Sequence, residues 1–301
     1  DQNQNSPFEL NGTIALFHEH ILQLEATKTN SDTKPENDPV NLISNLALDD
    51  TLLQATKELR INNPKMVDRI VQLLSEYDFS ISNIPIGVFG PAFDGFVSNF
   101  SSLPTVKRGD LISPYLVSSL IKRKLIRGDH HSILDPAMGA GSLLSPNHMH
   151  LPQGKKLETQ VFGYEIDKYS FLLSFMNLIL NGIYNPYIQK DDFFTGYPVM
   201  ESVDLVVCHP PFGRKVSPKG FYNEVSPYPD YPISRIEYAF LQHMLPSVKE
   251  DGEFAIVIPT DILSDSGTNR EFRKYLVESD YINSVVGLPE RSMPNTSVKA
   301  A

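Results

Sequence analysis

From Ser132 onward the chain alternates short apolar runs with longer amphipathic stretches. Ser132-Ile-Leu134, Gln160-Val-Phe162 and Val203-Asp-Leu-Val-Val207 have the length and β-branched content of strands. Periodicity predicts strands near 132–135, 160–165, 187–190, 203–208, 253–258 and 282–288, and helices near 141–145, 168–181, 235–249 and 269–278. Alternation of this kind predicts an α/β fold, a mostly parallel sheet with helices on both faces. Ligands of such a sheet belong at the carboxyl ends of its strands.

Ahead of this region the pattern changes. Residues 1 to about 24 hold one helical pattern, with apolar positions at Ile14, Leu16, Phe17, Ile21 and Leu24. Thr27 to Pro39 is nearly devoid of apolar residues and reads as a polar linker. Val40 to Asp78 resumes helical spacing, with Met66, Ile70, Leu73 and Leu74 on one face. Ile84 to Phe93 is apolar but broken by Gly and Pro, which suits a packed turn leading into a short helix. Ser113 is a natural N-cap and Pro114 a natural first residue for a helix from Tyr115 to Leu125. The expected organisation is therefore a helical N-terminal region, 1–104, followed by an α/β catalytic domain, 105–301.

Composition narrows the picture. At 301 residues, 41% hydrophobic and 21% charged, the chain suits one large domain with a smaller appendage. A formal net charge of -10 argues against holding nucleic acid through a broad basic face, so a local patch or a separate basic partner must meet the phosphates. Cys208, the single cysteine, excludes an intramolecular disulfide and fits a reducing cytoplasm. No apolar run approaches membrane-spanning length, and Asp1-Gln-Asn-Gln-Asn-Ser6 is not a signal peptide.

Three segments carry chemistry. Asp135-Pro-Ala-Met-Gly-Ala-Gly141 is a glycine turn after an apolar run, where backbone can approach a ligand closely. Glu165, in Gly163-Tyr-Glu-Ile-Asp167, ends the next run, where a carboxylate can accept two ribose hydroxyls. Cys208-His-Pro-Pro-Phe-Gly213 places a polar residue, two prolines and an aromatic after the Val203–Val207 run. Each has an ordinary reading on its own: a tight connection, a solvated carboxylate, a rigid loop. In this order, after successive apolar runs, their layout resembles that of a class I methyltransferase acting on an amino nitrogen.

These residues resemble the N6-adenine DNA methyltransferases, most closely the modification subunit of type I restriction–modification systems. The similarity runs from about Ile84 to Val298 and includes Gly87-Val-Phe-Gly-Pro-Ala-Phe-Asp94, Tyr238-Ala-Phe-Leu-Gln-His-Met-Leu245, Glu253-Phe-Ala-Ile-Val-Ile-Pro259, and Gly287-Leu-Pro289 with Pro294-Asn-Thr-Ser-Val298. It implies a Rossmann-like fold and S-adenosylmethionine as cofactor. Ser113 and Pro114 would lie over the methionine part. Asp135, Pro136, Gly139 and Gly141 would form the cofactor loop, with Glu165 on the ribose and Asp192, beside Asp191, on the adenine amino group. His209 and the carbonyl of Pro210 would hold the hydrogens of the target nitrogen, Pro211 would stiffen the loop, and Phe212 would stack on an adenine flipped out of the DNA. A separate specificity subunit, with a restriction subunit, is the implied partner set.

Two positions depart from the family pattern. His209 stands where Asn or Asp is usual. Ala301 falls where a final antiparallel strand, inserted between the fifth and sixth, should begin, so the resemblance implies a longer protein. Two alternatives stay open: a cofactor-binding but catalytically degenerate protein, and an enzyme methylating an RNA base or a protein amide. Cys208 reads as a small core residue, and neither His209 nor the His130-His131 pair has ligands at metal-binding spacing. Arg214, Lys215, Lys219, Phe221, Tyr222, Tyr228 and Tyr231 either grip an extruded nucleotide or belong to a weakly structured loop.

Overall fold

Ile133, Leu134, Leu205, Val206, Val207 and Cys208 are almost fully buried, which explains why their runs lack a polar alternation: both faces of the strands are covered. In the computed structural model they belong to β1 (Ser132–Asp135) and β4 (Val203–Cys208). β2 (Gln160–Tyr164), β3 (Tyr187–Gln189) and β5 (Val248–Ile256) complete a sheet of order β3-β2-β1-β4-β5. Every pairing is parallel. Strand order reverses between β1 and β4, so the loops leaving these two strands diverge and open a crevice between them.

The structure describes residues 69, 72, 90, 92, 93, 95–97, 113–121, 130–145, 159–183, 186–195, 202–217, 219–290, 292, 293 and 298–301. The chain divides into two compact units, Asp1–Glu76 and Tyr77–Ala301. The expected helix over 1–24, the linker over 27–39, most of the 40–78 pattern, the boundary after residue 104, residues 107–112 and residues 294–297 lie outside the described residues. No helix among the described residues is long and apolar enough to cross a membrane.

The helices are α1 (Tyr115–Leu120), α2 (Lys168–Leu180), α3 (Phe221–Glu224), α4 (Ile236–Met244) and α5 (Thr268–Glu278). Side chains alternate across the sheet with period two. Leu134, Val206 and Cys208 join α4 and α5 in one core, through Ile236, Leu241, Phe272 and Leu276. Ile133, Leu205 and Val207 join α1 and α2 in the other, through Val117, Ile121 and Leu178. Asp167 caps α2 by accepting from the amides of Tyr169 and Ser170.

Three expectations are corrected. Residues 141–145 form hydrogen-bonded turns and not a helix, because Gly141 has φ 77°, outside helical space. The helix expected over 235–249 ends at Met244, where a 3-10 turn carrying Pro246 leads into β5. Residues 282–288 are not a strand; they are separated from β5 by a cleft of about 1280 Å³ lined by Phe254, Ile256, Ile282 and Val286 among others. The last residues turn back antiparallel to the chain leaving β5: Ala301 and Ile258 exchange hydrogen bonds of 2.8 and 3.0 Å, while Leu288 donates to the carbonyl of Ala300 at 2.9 Å.

Candidate functional site

At the end of β1 the chain must turn sharply, and Asp135 supports the turn by accepting from the amide of Ala137 at 3.0 Å. The next residues cross to β2, where Met138 donates to the carbonyl of Tyr164 at 3.0 Å. Gly139 and Gly141 adopt φ of 53° and 77°, which side chains strongly disfavour. A Cβ on Gly141 would stand 3.3 Å from the Cβ of Ser174, so the missing side chain also lets the loop press against α2.

Glu165 closes this half from the end of β2. One carboxylate oxygen accepts from the Gly139 amide at 3.0 Å and the other from the Asp167 amide at 2.7 Å. Burial raises its pKa, and the amides of Asp167 and Gly139 oppose that rise. Each oxygen has a second lone pair, so both can still accept a hydroxyl from a ligand. Ile166 beside it is 71% exposed, an apolar surface at the strand end that reading the sequence passed over. Beyond β3, Asp191 accepts from the Asp192 amide at 2.8 Å, and Asp192 from the Phe194 amide at 3.2 Å. Glu165 is joined to this strand through its amide, which donates to the carbonyl of Gln189 at 3.0 Å.

The other half rises from β4. Cys208 is fully buried, and burial, reinforced by the charge of Asp135, pushes its thiol pKa well up, so it is an inert core residue. His209 follows, with its Nδ1 3.0 Å from the hydroxyl of Ser113. Burial lowers its pKa to about 4, so the ring is neutral near pH 7. The Phe212 ring lies 5.1 Å from the imidazole, tilted by 56°. Pro210 is buried and Pro211 exposed. Gly213, at φ 74°, ends the loop and donates its amide to Glu237 at 2.7 Å.

Glu237 was not picked out from the sequence. It is fully buried, and the oxygen that accepts from Gly213 also pairs with Arg235 at 3.0 Å, while Arg235 reaches Asp261 at 2.7 Å. The signal was present: one acid in the first turn of the otherwise apolar run Ile236-Glu-Tyr-Ala-Phe-Leu241, all of it buried. Charges rarely occupy such a place unless something pairs with them.

The aromatic and basic segment divides between packed and exposed residues. Tyr228 and Tyr231 pack on Phe272 and Tyr275 of α5, with ring centroids 5.3–5.7 Å apart. Tyr222 packs on Phe194 at 4.8 Å and lies under the Arg214 guanidinium at 5.8 Å. Asn223 ties the segment together by bonding both the amide and the carbonyl of Ile233. This is a built element and not a weakly structured loop. Arg214, Lys215, Lys219 and Phe221 remain exposed on it. His130 and His131 lie at the opposite, amino end of β1, where His130 pairs with Glu253 at 3.0 Å.

The type I restriction enzyme EcoEI methylase subunit of Escherichia coli is 26% identical over 79% of this chain and 50% of its own length. The crystal structure of the type I restriction-modification methyltransferase subunit from Streptococcus thermophilus superimposes with a TM-score of 0.63 at 25% identity, covering 74% of this chain and 49% of that one. A structure from Listeria monocytogenes assigned to the class I S-adenosylmethionine-dependent methyltransferases shares the fold, with a TM-score of 0.55 at 16% identity over 73% of this chain and 69% of that one. The chain spans about half the length of the curated relatives it matches. The profile of the N-6 DNA methylase family matches residues 85–301, and the chain belongs to that family.

Proposed function

We propose that this chain is the catalytic part of a modification subunit that methylates the N6 amino group of adenine in DNA, with a separate specificity subunit choosing the site. The observation that carries the reading is the neutral, Ser113-bonded His209 beside Phe212 at the strand-order reversal, next to a glycine loop tied down by Glu165. Relatives named methylase subunits of type I restriction enzymes support both the reaction class and the partner.

The cofactor half fits S-adenosylmethionine. Gly139 and Gly141 keep the loop free of side chains, Glu165 offers lone pairs to the ribose, Ile166 offers an apolar face to the purine, and Asp192, beside Asp191, offers an acceptor for its amino group. Ser113, Pro114, Asp135 and Pro136 complete its surroundings. When bound, the cofactor supplies an electrophilic methyl on a sulfonium.

The protein's own work is positional. Adenine N6 is a weak nucleophile because its lone pair is delocalised into the ring. Holding its two hydrogens on acceptors, the imidazole of His209 and the carbonyl of Pro210, turns that lone pair toward the methyl. Phe212 stacks on the extruded base, and Pro211 keeps the loop stiff. Rate then comes from orientation and fixed dipoles.

Incubating the chain with labelled S-adenosylmethionine and adenine-containing DNA, with and without its specificity partner, tests the reading. N6-methyladenine is the expected product, and RNA or protein should stay unlabelled. The variant His209→Asn decides whether this histidine works: a working imidazole predicts that activity falls, and an impaired one that activity rises, while cofactor affinity stays nearly unchanged. Cofactor binding with no methylation in either protein, under every partner combination, would instead establish the degenerate alternative, which the substitution at His209 favours.

A further inference from the structure

The contact between Ser113 and His209 spans 96 positions and joins the residue before the Pro114 cap of α1 to the loop after β4. We infer that Ser113 is a positioning residue that fixes the tautomer of His209: Nδ1–H donates to the serine oxygen, which leaves Nε2 as a bare acceptor for the target amino group.

A neutral imidazole carries one hydrogen. Placed on Nε2, that hydrogen would face the amino hydrogens it should accept; placed on Nδ1, it frees Nε2 as a lone pair. The ring is dry enough to stay neutral, so the tautomer, and not the charge, becomes the variable. A half-buried Nδ1–H still needs an acceptor, and the Ser113 hydroxyl stands 3.0 Å away. Ser113 is itself held firmly. Pro114 accepts from the amides of Val117 and Ser118 at 2.9 and 3.0 Å, and Val117 and Ile121 lie in the same core as Leu205, Val207 and Phe212. The serine and the histidine loop are therefore fixed to a common base. An asparagine at the same place would have a fixed amide oxygen and no tautomer to choose, so the serine's service is specific to a histidine here.

This inference rests on His209 facing the base, and its test separates the two claims. Nitrogen-15 labelling of histidine in the full chain, with His209→Asn used for assignment, reads the tautomer directly. The expected result is Nδ1 protonated and Nε2 bare in the native chain, with Ser113→Ala moving the ring toward Nε2–H and Ser113→Thr preserving the native pattern. A native ring protonated on Nε2, or a tautomer indifferent to Ser113→Ala, overturns the inference whether or not the enzyme methylates adenine. Methylation in the presence of the specificity partner adds a second reading. Ser113→Ala should lower kcat by about 10–100-fold in the native background, as loss of an orienting hydrogen-bond partner commonly does, and by less than about threefold in the His209→Asn background. Equal losses in both backgrounds would show that Ser113 acts on the cofactor and not through the imidazole.

Discussion

The two halves of the strand-end crevice are built in different ways. On the side of β1, β2 and β3, acidic side chains mostly accept from amides one or two residues ahead: Asp135 from Ala137, Glu165 from Asp167, Asp191 from Asp192 and Asp192 from Phe194. One longer bond, Glu165 to the Gly139 amide, locks the pieces together. On the side of β4 the bonds that matter reach across the chain, from Ser113 to His209 and from Gly213 to Glu237. A surface for a constant cofactor can be made of local turns repeated at successive strand ends. On the proposed function, the surface for a base arriving from outside is this loop braced by other elements, and its bracing defines how that half can fail.

Removing the brace should have the largest effect. Glu237→Ala deletes a buried carboxylate from its pair with Arg235 and leaves the Gly213 amide without its acceptor. Breaking a buried pair in this way costs about 3–5 kcal/mol. Urea unfolding should report a loss of that size, while calorimetry at a temperature where the variant is folded should find cofactor affinity almost unchanged. Loss of cofactor binding by the folded variant would show that the two halves do not separate as described.

Acid should weaken the β4 side next. His209 has a folded pKa of about 4, below the unfolded value of about 6.5. The unfolded chain therefore binds more protons between these two pH values, and stability falls as pH drops through that window. The stability associated with the neutral ring is fully present above about pH 6.5, and on the order of 3 kcal/mol is lost by pH 4. His243, also held below its usual value by burial, titrates in native and variant alike. The difference between the native chain and His209→Asn thus isolates His209, and stability curves that run parallel in pH would contradict its burial. A working His209 should likewise keep methylation going well below pH 6.5.

On the cofactor side, Glu165→Ala should weaken S-adenosylmethionine binding by about 1.5–3 kcal/mol, the worth of hydrogen bonds to a charged acceptor. The Gly139 and Asp167 amides lose their partner as well. Unchanged calorimetric affinity would remove Glu165 from the site.

This asymmetry explains what the sequence made legible. Local bonds leave local patterns, so the glycine loop and Glu165 could be placed at strand ends from the pattern of apolar runs, and the aspartates from the family resemblance. The sequence offers Ser113 as a helix cap or a cofactor neighbour, but Pro114 takes the cap position, and the bond from Ser113 to His209 depends on α1 packing beneath β4, which no spacing reveals. Gly141-Ser-Leu-Leu-Ser145 reads as helix from the sequence, yet the backbone at Gly141 turns the other way. β5 begins at Val248, ahead of its apolar stretch, because pairing with Val203 draws in the polar Lys249-Glu-Asp251. Gly252 allows that approach, since a Cβ there would meet the carbonyl of Asp204 at 2.8 Å.

The smallest effect tests the outer surface of the β4 side, where basic and aromatic residues of one segment have divided their tasks. Tyr228 and Tyr231 are committed to α5, whereas Arg214, Lys215, Lys219 and Phe221 face solvent. With a net charge of -10, the chain alone should bind DNA weakly and with steep salt dependence, through this local patch. Arg214→Ala should weaken binding similarly for all DNA sequences and reduce the slope of log affinity against log salt by about 1, the signature of one lost phosphate contact. Tyr228→Ala should act elsewhere, lowering stability through the lost ring packing while leaving the salt slope alone. Fluorescence anisotropy titrations at several salt concentrations distinguish the two. An unchanged slope for Arg214→Ala, together with a changed one for Tyr228→Ala, would mean that the packed tyrosines swing out to meet the nucleotide and that the exposed cations serve only solubility.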